Sequence, residues 1–399
     1  MEENFDIAVV GGGPAGLSAA YTAAKSGASV ILLEKDEAIA HSVRTSGVTW
    51  VDAMDRLGIP SRYYNPITNY RFVSPANDIL ISGSTPKSCV LDVRGMYQHL
   101  AFLAAEAGAE IMVRSNVINT IKDGDRIAGV KASTPKGDVT FRATLVIDAS
   151  GFSASVGRKT GLAVEWKRYG VGAEYECYCD TVDRTTWVLM VGKQYSDAGY
   201  AWVFPLSNNR VRIGVGIGRP DSDADPLEKL HLLLENRPRP LDSLGKIQPV
   251  ELHYGSIPNE GSRQNSISDG LIMVGDSAGQ SNPLVLEGIR YAIEFGRLAG
   301  EVGAKSISQG SSIESLAEYE RTWKSRVEKK IASALRVQSR WIGLSDDQWD
   351  REIEILRDMT VDEFLDFIKA DFTAGKMVKL ALHHPKIAAR QLFNMIVNS

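Results

Sequence analysis

Cysteine is scarce in this 399-residue chain, which holds only Cys89, Cys177 and Cys179. So few, so widely scattered, they exclude a disulfide framework and a four-ligand zinc centre, and no metal site is expected. Cys177 and Cys179 share one face of a strand-like segment as small apolar side chains. A reducing, cytoplasmic setting is the expectation. Charge is nearly balanced, with a net of −4, and without a dense basic stripe no nucleic-acid partner is expected. The sequence shows no internal repeat and no low-complexity tract. One uncharged run, Ile7 to Ala24, is long enough to imitate a membrane span or a signal peptide. Its acidic lead (Glu2, Glu3, Asp6), its glycines and Pro14 break it instead into strand and helix. What remains is an apolar content of 44%, enough to supply real cores in a chain of this length.

The glycines of that run carry the first functional signal. Gly11-Gly12-Gly13-Pro14-Ala15-Gly16 follows the apolar Ile7-Ala8-Val9-Val10 and precedes the helix-forming Leu17-Ser18-Ala19-Ala20. G-x-G-x-x-G between a strand and a helix places backbone N–H groups and a helix N-terminus at a pyrophosphate. Glu34, 18 residues beyond Gly16, closes a second apolar strand, Val30 to Leu33, where an acid accepts hydrogen bonds from an adenosine ribose. Together these make a complete dinucleotide site. Arg44, in the polar loop His41 to Gly47, either faces phosphate or flavin or points to solvent.

Further along, Met96, Leu100, Leu103 and Ala104 recur at helical spacing, with Asp92 as N-cap. A hairpin meander then leads to the strand Ala143 to Ile147 and the loop Asp148-Ala149-Ser150-Gly151. Between about Val164 and Glu260 β-branched and aromatic residues alternate, which predicts an antiparallel sheet inserted into the nucleotide domain. Leu271 to Val274 returns to the first pattern and ends in Gly275-Asp276, followed by a helix from about Leu286 to Gly303. The final hundred residues read as helices. Asp346 to Asp371 holds ten acids against three bases, whereas Lys376, Lys379, Lys386 and Arg390 follow with no acid among them.

The order of Gly11-x-Gly13-x-x-Gly16 with Glu34, Asp148 to Gly151, and Gly275-Asp276 resembles the flavoproteins that share the p-hydroxybenzoate hydroxylase fold. That resemblance implies an α/β fold: an FAD-binding Rossmann-like domain of the glutathione reductase/p-hydroxybenzoate hydroxylase type, an inserted antiparallel β-sheet substrate domain, and a C-terminal helical region. The expected boundaries are 1–50, 91–160 and 265–305 for the FAD domain, 51–90 and 161–264 for the sheet domain, and 306–399 for the helices. One departure is Ser150-Gly151, where the hydroxylases usually carry Asp-Gly. A narrower resemblance lies in Gly199-Tyr200-Ala201-Trp202-Val203-Phe204-Pro205 with Gly214-Val215-Gly216, which is similar to the Tyr/Phe-x-Trp-x-Phe-Pro and Gly-x-Gly signature of geranylgeranyl reductases. Asn282 to Ala292 is similar to theirs as well. Those reductases often carry Arg-Cys-Gly-Glu where this chain has Arg44-Thr45-Ser46-Gly47, so chemistry that needs that cysteine cannot operate here.

The resemblance implies FAD contacts at Ala15, Glu34, Thr45, Ser46, Arg94, Val117, Asp276, Gly288 and Ile289, the last two approaching the flavin; Gly11, Gly13, Pro14, Gly16, Lys35, Arg44 and Gly151, in the glycine turn and the neighbouring loops, complete the expected cofactor set. Substrate contacts are expected at Tyr200, Trp202, Phe204 and Pro205, whose aromatic members share one strand face and would otherwise be plain core. FAD is expected over NAD because of the late Gly275-Asp276. Saturating a double bond needs a hydride and a proton; Tyr200 and His253 are the nameable donors, and no catalytic acid is assigned. A polyprenyl lipid or prenyl quinone is the expected substrate. A twenty-carbon chain gains on the order of 10 kcal/mol in an apolar environment at ~0.8 kcal/mol per CH₂. Peripheral contact with the inner membrane face is therefore expected, with a tail carrying Met377, Val378, Leu380, Leu382, Ile387, Leu392, Phe393 and Ile396 among its basic residues. No second dinucleotide fingerprint exists, so the electron donor is NAD(P)H docking transiently or a small redox protein. A flavin-dependent halogenase or monooxygenase is the alternative enzyme, with Lys87 as the halogenase lysine. A non-catalytic electron relay docking through the acidic 346–371 stretch is the third reading.

Overall fold

The apolar residues after the acidic start form β1 (Glu2–Val10), buried from Ile7 onward. α1 (Pro14–Lys25) opens with proline at its first turn, where the missing N–H costs nothing. β2 (Val30–Leu33) is buried throughout. Next come β3 (Val48–Trp50), α2 (Val51–Arg56), β4 (Tyr64–Ile67), β5 (Asn69–Val73), β6 (Asp78–Ser82) and β7 (Ser88–Leu91). α3 (Val93–Glu106) is capped by Asp92, whose carboxylate accepts from Gly95 N. β8 (Glu110–Met112), the meander β9 (Asn116–Asp123), β10 (Arg126–Thr134) and β11 (Gly137–Asp148), and α4 (Ser155–Thr160) follow. The long strands are β12 (Tyr169–Cys179), β13 (Thr186–Val191), β14 (Gly199–Pro205), β15 (Arg210–Arg219) and, after α5 (Pro226–Asn236), β16 (Ile247–Pro258). β17 (Ile267–Ser268), β18 (Leu271–Met273) and α6 (Ile289–Ser306) precede α7 (Ile313–Ile342), α8 (Asp346–Glu354), α9 (Val361–Ile368) and α10 (Ala374–His383). This computed structural model describes residues 2–371 and 374–385.

The fold is α/β. One sheet runs β17-β18-β11-β1-β2-β8, with β10 and β9 extending from the first half of β11. Its strands β18, β11, β1, β2 and β8 are parallel. α1 and α6 cover one face in close contact: a Cβ at Gly296 or Gly300 would collide with Ala15 O or Ala19 O. The second sheet runs β16-β12-β15-β14-β13-β5-β6. It is antiparallel except where β13 lies parallel to β5. That pair corrects the all-antiparallel expectation, because parallel neighbours need a long crossover, and here residues 74–185 supply it. Residues 51–90 also divide: β5 and β6 join this sheet, while β4 and β7 join β3 in a small sheet of their own. α7 begins against the first sheet, where Tyr319 donates to Met273 O and Trp323 to Ser266 Oγ, and α9 lies on the second sheet, its Phe364 packing on Tyr70, Phe72 and Trp187.

The acidic stretch is largely consumed by these contacts. Asp350 accepts from Ala76 N at 2.9 Å and Asp346 from Lys193 N at 2.7 Å. Glu352 pairs with Arg340, and Glu363 accepts from Thr360 N in the capping box that opens α9 while holding His383. Lys376 is bound to Asp366 and Asp371, so the start of the basic tail faces acids that the linear sequence kept apart from it. Val378 and Leu382 are exposed; Lys386, Ile387, Arg390, Leu392, Phe393 and Ile396 lie outside the described residues. Among the described residues no helix is long and apolar enough to cross a membrane.

Candidate cofactor and substrate site

Val10, Leu33, Asp148 and Met273 stand level across the parallel sheet, paired Val10 with Leu33 and Asp148, and Asp148 with Met273. The loops that leave them, at Gly11, Glu34, Ala149 and Gly275, therefore open at one height above the carboxyl ends of the strands, where open α/β sheets bind ligands. A cavity of about 1480 Å³ begins there. A small-ligand pocket spans roughly 300–1,000 Å³, so this space exceeds what one small ligand fills.

The glycine turn fits a dinucleotide. Gly11 has φ +107, and a Cβ on it would run into Ala149 O; a Cβ on Gly16 would run into Gly11 O. These two build the turn. Gly13 differs, because a Cβ there meets nothing within 4 Å. The open side is the cavity, and α1 starts beside it with no side-chain cap and no acid in its first turn. Its first N–H groups are thus left to an anion. Glu34 on the next loop accepts from Gly12 N at 2.6 Å and Asp36 N at 2.8 Å, which fixes its carboxylate at the cavity wall.

Asp148 and Asp276 are both deeply placed carboxylates with different jobs. Asp148 is buried and accepts from Ser150 N, Val156 N and Gly157 N, so it shapes the loop and does not reach the cavity. Asp276 lines the cavity and has no side-chain hydrogen bond to protein among the described residues, which suits a hold on a polyol. It keeps some exposure to that space, yet the surrounding protein is deep enough that burial pushes its carboxyl up to about 6. A carboxyl raised above its ordinary ~3.9 favours the fold when protonated, and that stability is lost as pH climbs through the interval between the two values. Cofactor-free Asp276→Asn escapes this loss. Its Tm is expected to exceed the parent's by a margin that widens from about pH 4 to about pH 6 and stays constant above that, while cofactor retention falls. Calorimetry on the stripped proteins checks the first sign and flavin absorbance the second.

Of the expected cofactor residues, Gly11, Gly13, Pro14, Ala15, Glu34, Lys35, Arg44, Thr45, Ser46, Val117, Gly151, Asp276, Gly288 and Ile289 line the cavity. Gly16 lies beneath it, in the turn. Arg94 is not on the wall: its guanidinium holds Glu251 at 2.5 Å and donates to Ala40 O and His41 O, bracing the loop that carries Arg44. Lys87 sits on the surface 3.4 Å from Asp362 and does not line the cavity, which removes the candidate halogenase lysine. No group of three or more metal-ligating side chains occurs among the described residues.

Past the loops the cavity runs along one face of the second sheet. Tyr200 and Trp202 line it, Phe204 lines a small adjoining void of about 50 Å³, and Pro205 lies on neither wall. The three aromatic side chains do share a face: Trp202 stacks on Phe204 at 6.0 Å and 17°, and meets Tyr200 at 5.8 Å. Tyr200 donates to Val285 O at 2.8 Å, and burial pushes its phenol up, so its proton is engaged.

Cross-strand register supplies what the linear motif does not contain. Trp202, Gly214, Glu174 and His253 form one row across β14, β15, β12 and β16. The neighbouring rows are Tyr200, Gly216, Gly172, Gly255 and Phe204, Arg212, Glu176, Glu251. Trp202 lies over the glycines: a Cβ on Gly216 would be 3.3 Å from its ring and one on Gly172 3.4 Å. Its indole N–H reaches Glu174 at 2.9 Å. Arg212, 1% exposed, donates to Ser46 O and Leu91 O and so fastens the Thr45-Ser46 loop to this sheet. Glu174, Gly172, Gly255 and Arg212 were not anticipated. The alternation Gly170-x-Gly172-x-Glu174-x-Glu176 was the available signal, since every second residue of a strand shares a face. Opposite, α7 to α9 complete an apolar wall with Val337, Trp341, Leu356, Met359 and Phe367.

Residues 6–212 match the family model for FAD dependent oxidoreductases. The chain is 32% identical over 389 residues to digeranylgeranylglycerophospholipid reductase 1 of Methanococcoides burtonii, a match that covers 94% of each chain. Its structure is similar to that of a geranylgeranyl bacteriochlorophyll reductase-like protein from Thermoplasma acidophilum, with a TM-score of 0.86 and 27% identity over 98% of this chain and 99% of that one. A flavin-dependent brominase, at 17% identity and a TM-score of 0.69 over 97% of this chain and 99% of that one, shares the fold alone.

Proposed function

The chain belongs to the FAD-dependent oxidoreductases of the geranylgeranyl reductase family, and from that premise we propose that it saturates isoprenoid double bonds in a geranylgeranyl lipid or prenyl quinone. The observation that supports this substrate is the apolar channel that leaves the cofactor loops at Tyr200 and Trp202 and continues between the second sheet and α7 to α9. A branched hydrocarbon chain offers no hydrogen bonds, and such walls ask for none.

FAD, when bound, supplies a hydride to carbon. The protein's residues do the rest. Gly13, the first turn of α1, Glu34 and Asp276 would hold the cofactor; Thr45, Ser46, Gly288 and Ile289 would border its reactive end. Arg212 keeps the Thr45-Ser46 loop against the sheet. Trp202, held flat by Glu174, forms a wall that excludes water and orients the chain. The reductant is NAD(P)H docking transiently or a small redox protein, and the lipid is taken at the bilayer surface by a protein that contacts it peripherally.

The test is direct. Protein whose flavin has been reduced anaerobically is mixed with a geranylgeranyl glycerol ether lipid, and mass spectrometry follows the product. Each saturated bond should add the mass of H₂ as the flavin reoxidises. A flavin that stays reduced beside unchanged lipid rejects the reading, and a peroxyflavin formed with oxygen would favour a monooxygenase.

A further inference from the structure

Resting on the reductase reading, we propose that His253 stores the proton that saturation consumes and passes it through the Glu174 carboxyl to the carbon that receives no hydride. His253 and Glu174 both line the cavity yet are each only 3% exposed. His253 Nδ1 lies 2.9 Å from Glu174 Oε1, and Glu174 Oε2 accepts from Trp202 in the channel wall. The pair therefore ends beside the substrate slot.

The other end leads outward. His253 Nε2 is buried without a hydrogen-bond partner among the described residues, 3.5 Å from Glu251 Oε2. Glu251 is 34% exposed and held by Arg94. A histidine with a purely structural task uses both ring nitrogens when buried, because an orphaned one is costly. This ring stands between the two carboxylates, Nδ1 bonded to Glu174 and Nε2 3.5 Å from Glu251 without a hydrogen bond, so a proton taken up at Nε2 from the solvent side can leave from Nδ1 toward the slot.

Charge in the row permits the cycle. The groups facing His253 are Glu174 on β12 and Glu251 on its own strand. Arg212, 3.7 Å from Glu174, lies behind them on β15, with Glu176, Arg210 and Arg94 next beyond. Three arginines balance three glutamates when the imidazole is neutral, and one added proton leaves a single excess charge. Saturation breaks the π bond and forms two C–H bonds. The hydride brings its electron pair from the cofactor to one carbon, and the proton leaves the His253–Glu174 pair for the other. Water returns a proton to the imidazole at the Glu251 end.

FAD-loaded protein is examined first without lipid. Histidine ring nitrogen resonances are recorded by NMR, with the His253 signals identified as those lost in His253→Asn. The Nδ1 shift should move in Glu174→Gln and the Nε2 shift in Glu251→Gln, as each carboxylate beside the ring is neutralised. Single turnover of the same ether lipid by reduced protein is the second readout. His253→Asn and Glu174→Gln should slow it by about 10²-fold, the usual share of a positioned acid, with flavin content unchanged. Glu251→Gln, at a half-exposed position that folding tolerates, should alter the pH profile, and His231→Asn on the exposed face of α5 should match the parent. Parental rates and pH profiles in His253→Asn and Glu174→Gln overturn the proton route and leave the reductase reading intact. A parent that saturates nothing overturns both.

Discussion

Gly13→Val is expected to abolish retention of FAD while leaving the cofactor-free protein folded, with Tm within about 3 °C of the parent. The two effects separate because Gly13 contributes to the cavity and not to the turn. Its backbone, at φ −79 and ψ 179, suits any residue, and a Cβ there touches no protein atom within 4 Å. The isopropyl group therefore projects into the space beside the open N–H groups of α1. Each charge-assisted hydrogen bond denied to a pyrophosphate is worth roughly 1.5–3 kcal/mol. Losing two weakens binding by on the order of 10²- to 10⁴-fold, at about 1.4 kcal/mol per factor of ten. Gly16→Ala provides the contrast. Its methyl would enter Gly11 O and crowd Ala149 Cβ at 3.1 Å, so the loss appears in the melting curve of the stripped protein as well. Flavin absorbance per chain and calorimetry of stripped samples read the two effects apart. FAD retained at full stoichiometry by Gly13→Val would falsify the placement of the pyrophosphate on this turn.

The contrast also explains which parts of the molecule were legible in the sequence. The glycine turn, Glu34 and the α1 start lie within one strand-helix-strand unit, so local spacing alone reports their geometry. Asp276 and Gly288 line the cavity because one follows a strand of the parallel sheet and the other precedes the helix that covers it, a local strand-to-helix pattern. The charged row was not legible. Trp202, Glu174 and His253 come from strands separated by long connections, and their alignment depends on register, including a shift between Glu176 and Cys177 on β12 against β16. A displacement of one residue would have sent Glu174 to the opposite face. Arg94 stands off the cavity wall for a related reason: its partner Glu251 is 157 positions away in sequence. The acids of 346–371 looked like a solvated docking surface because their partners, the turns near Ala76 and Lys193, belong to another sheet edge.

Register makes Gly214 the position where a single methyl is expected to do most damage to the chemistry without touching the cofactor. A Cβ on Gly214 would collide with the Trp202 indole on one side and stand 2.6 Å from Glu174 Cβ on the other, so neither neighbour has room to give. The indole must lift. Lifting it breaks the 2.9 Å bond to Glu174 and the stack on Phe204, and moves the ring into the channel. Overpacking of this kind costs typically 1–3 kcal/mol, and the Glu174 oxygen that loses the indole N–H, its fellow oxygen remaining bonded to His253, adds roughly 1–3 kcal/mol more. Gly214→Ala should therefore retain FAD and accept electrons from dithionite as the parent does, yet saturate geranylgeranyl lipid at least about 10²-fold more slowly, through obstruction of near-attack geometry. Gly216→Ala supplies the graded control, since its Cβ would stand 3.3 Å from the ring, a contact that a small ring shift relieves. Trp202→Phe separates obstruction from the lost N–H, because it empties the bond to Glu174 while keeping an aromatic wall. If Gly214→Ala saturates lipid at the parental rate, Trp202 does not shape the substrate path. If it fails as expected while Gly216→Ala works, the aromatic stretch at 200–205 and the Gly-x-Gly at 214–216 act as one object: a flat ring and the floor that lets it lie flat.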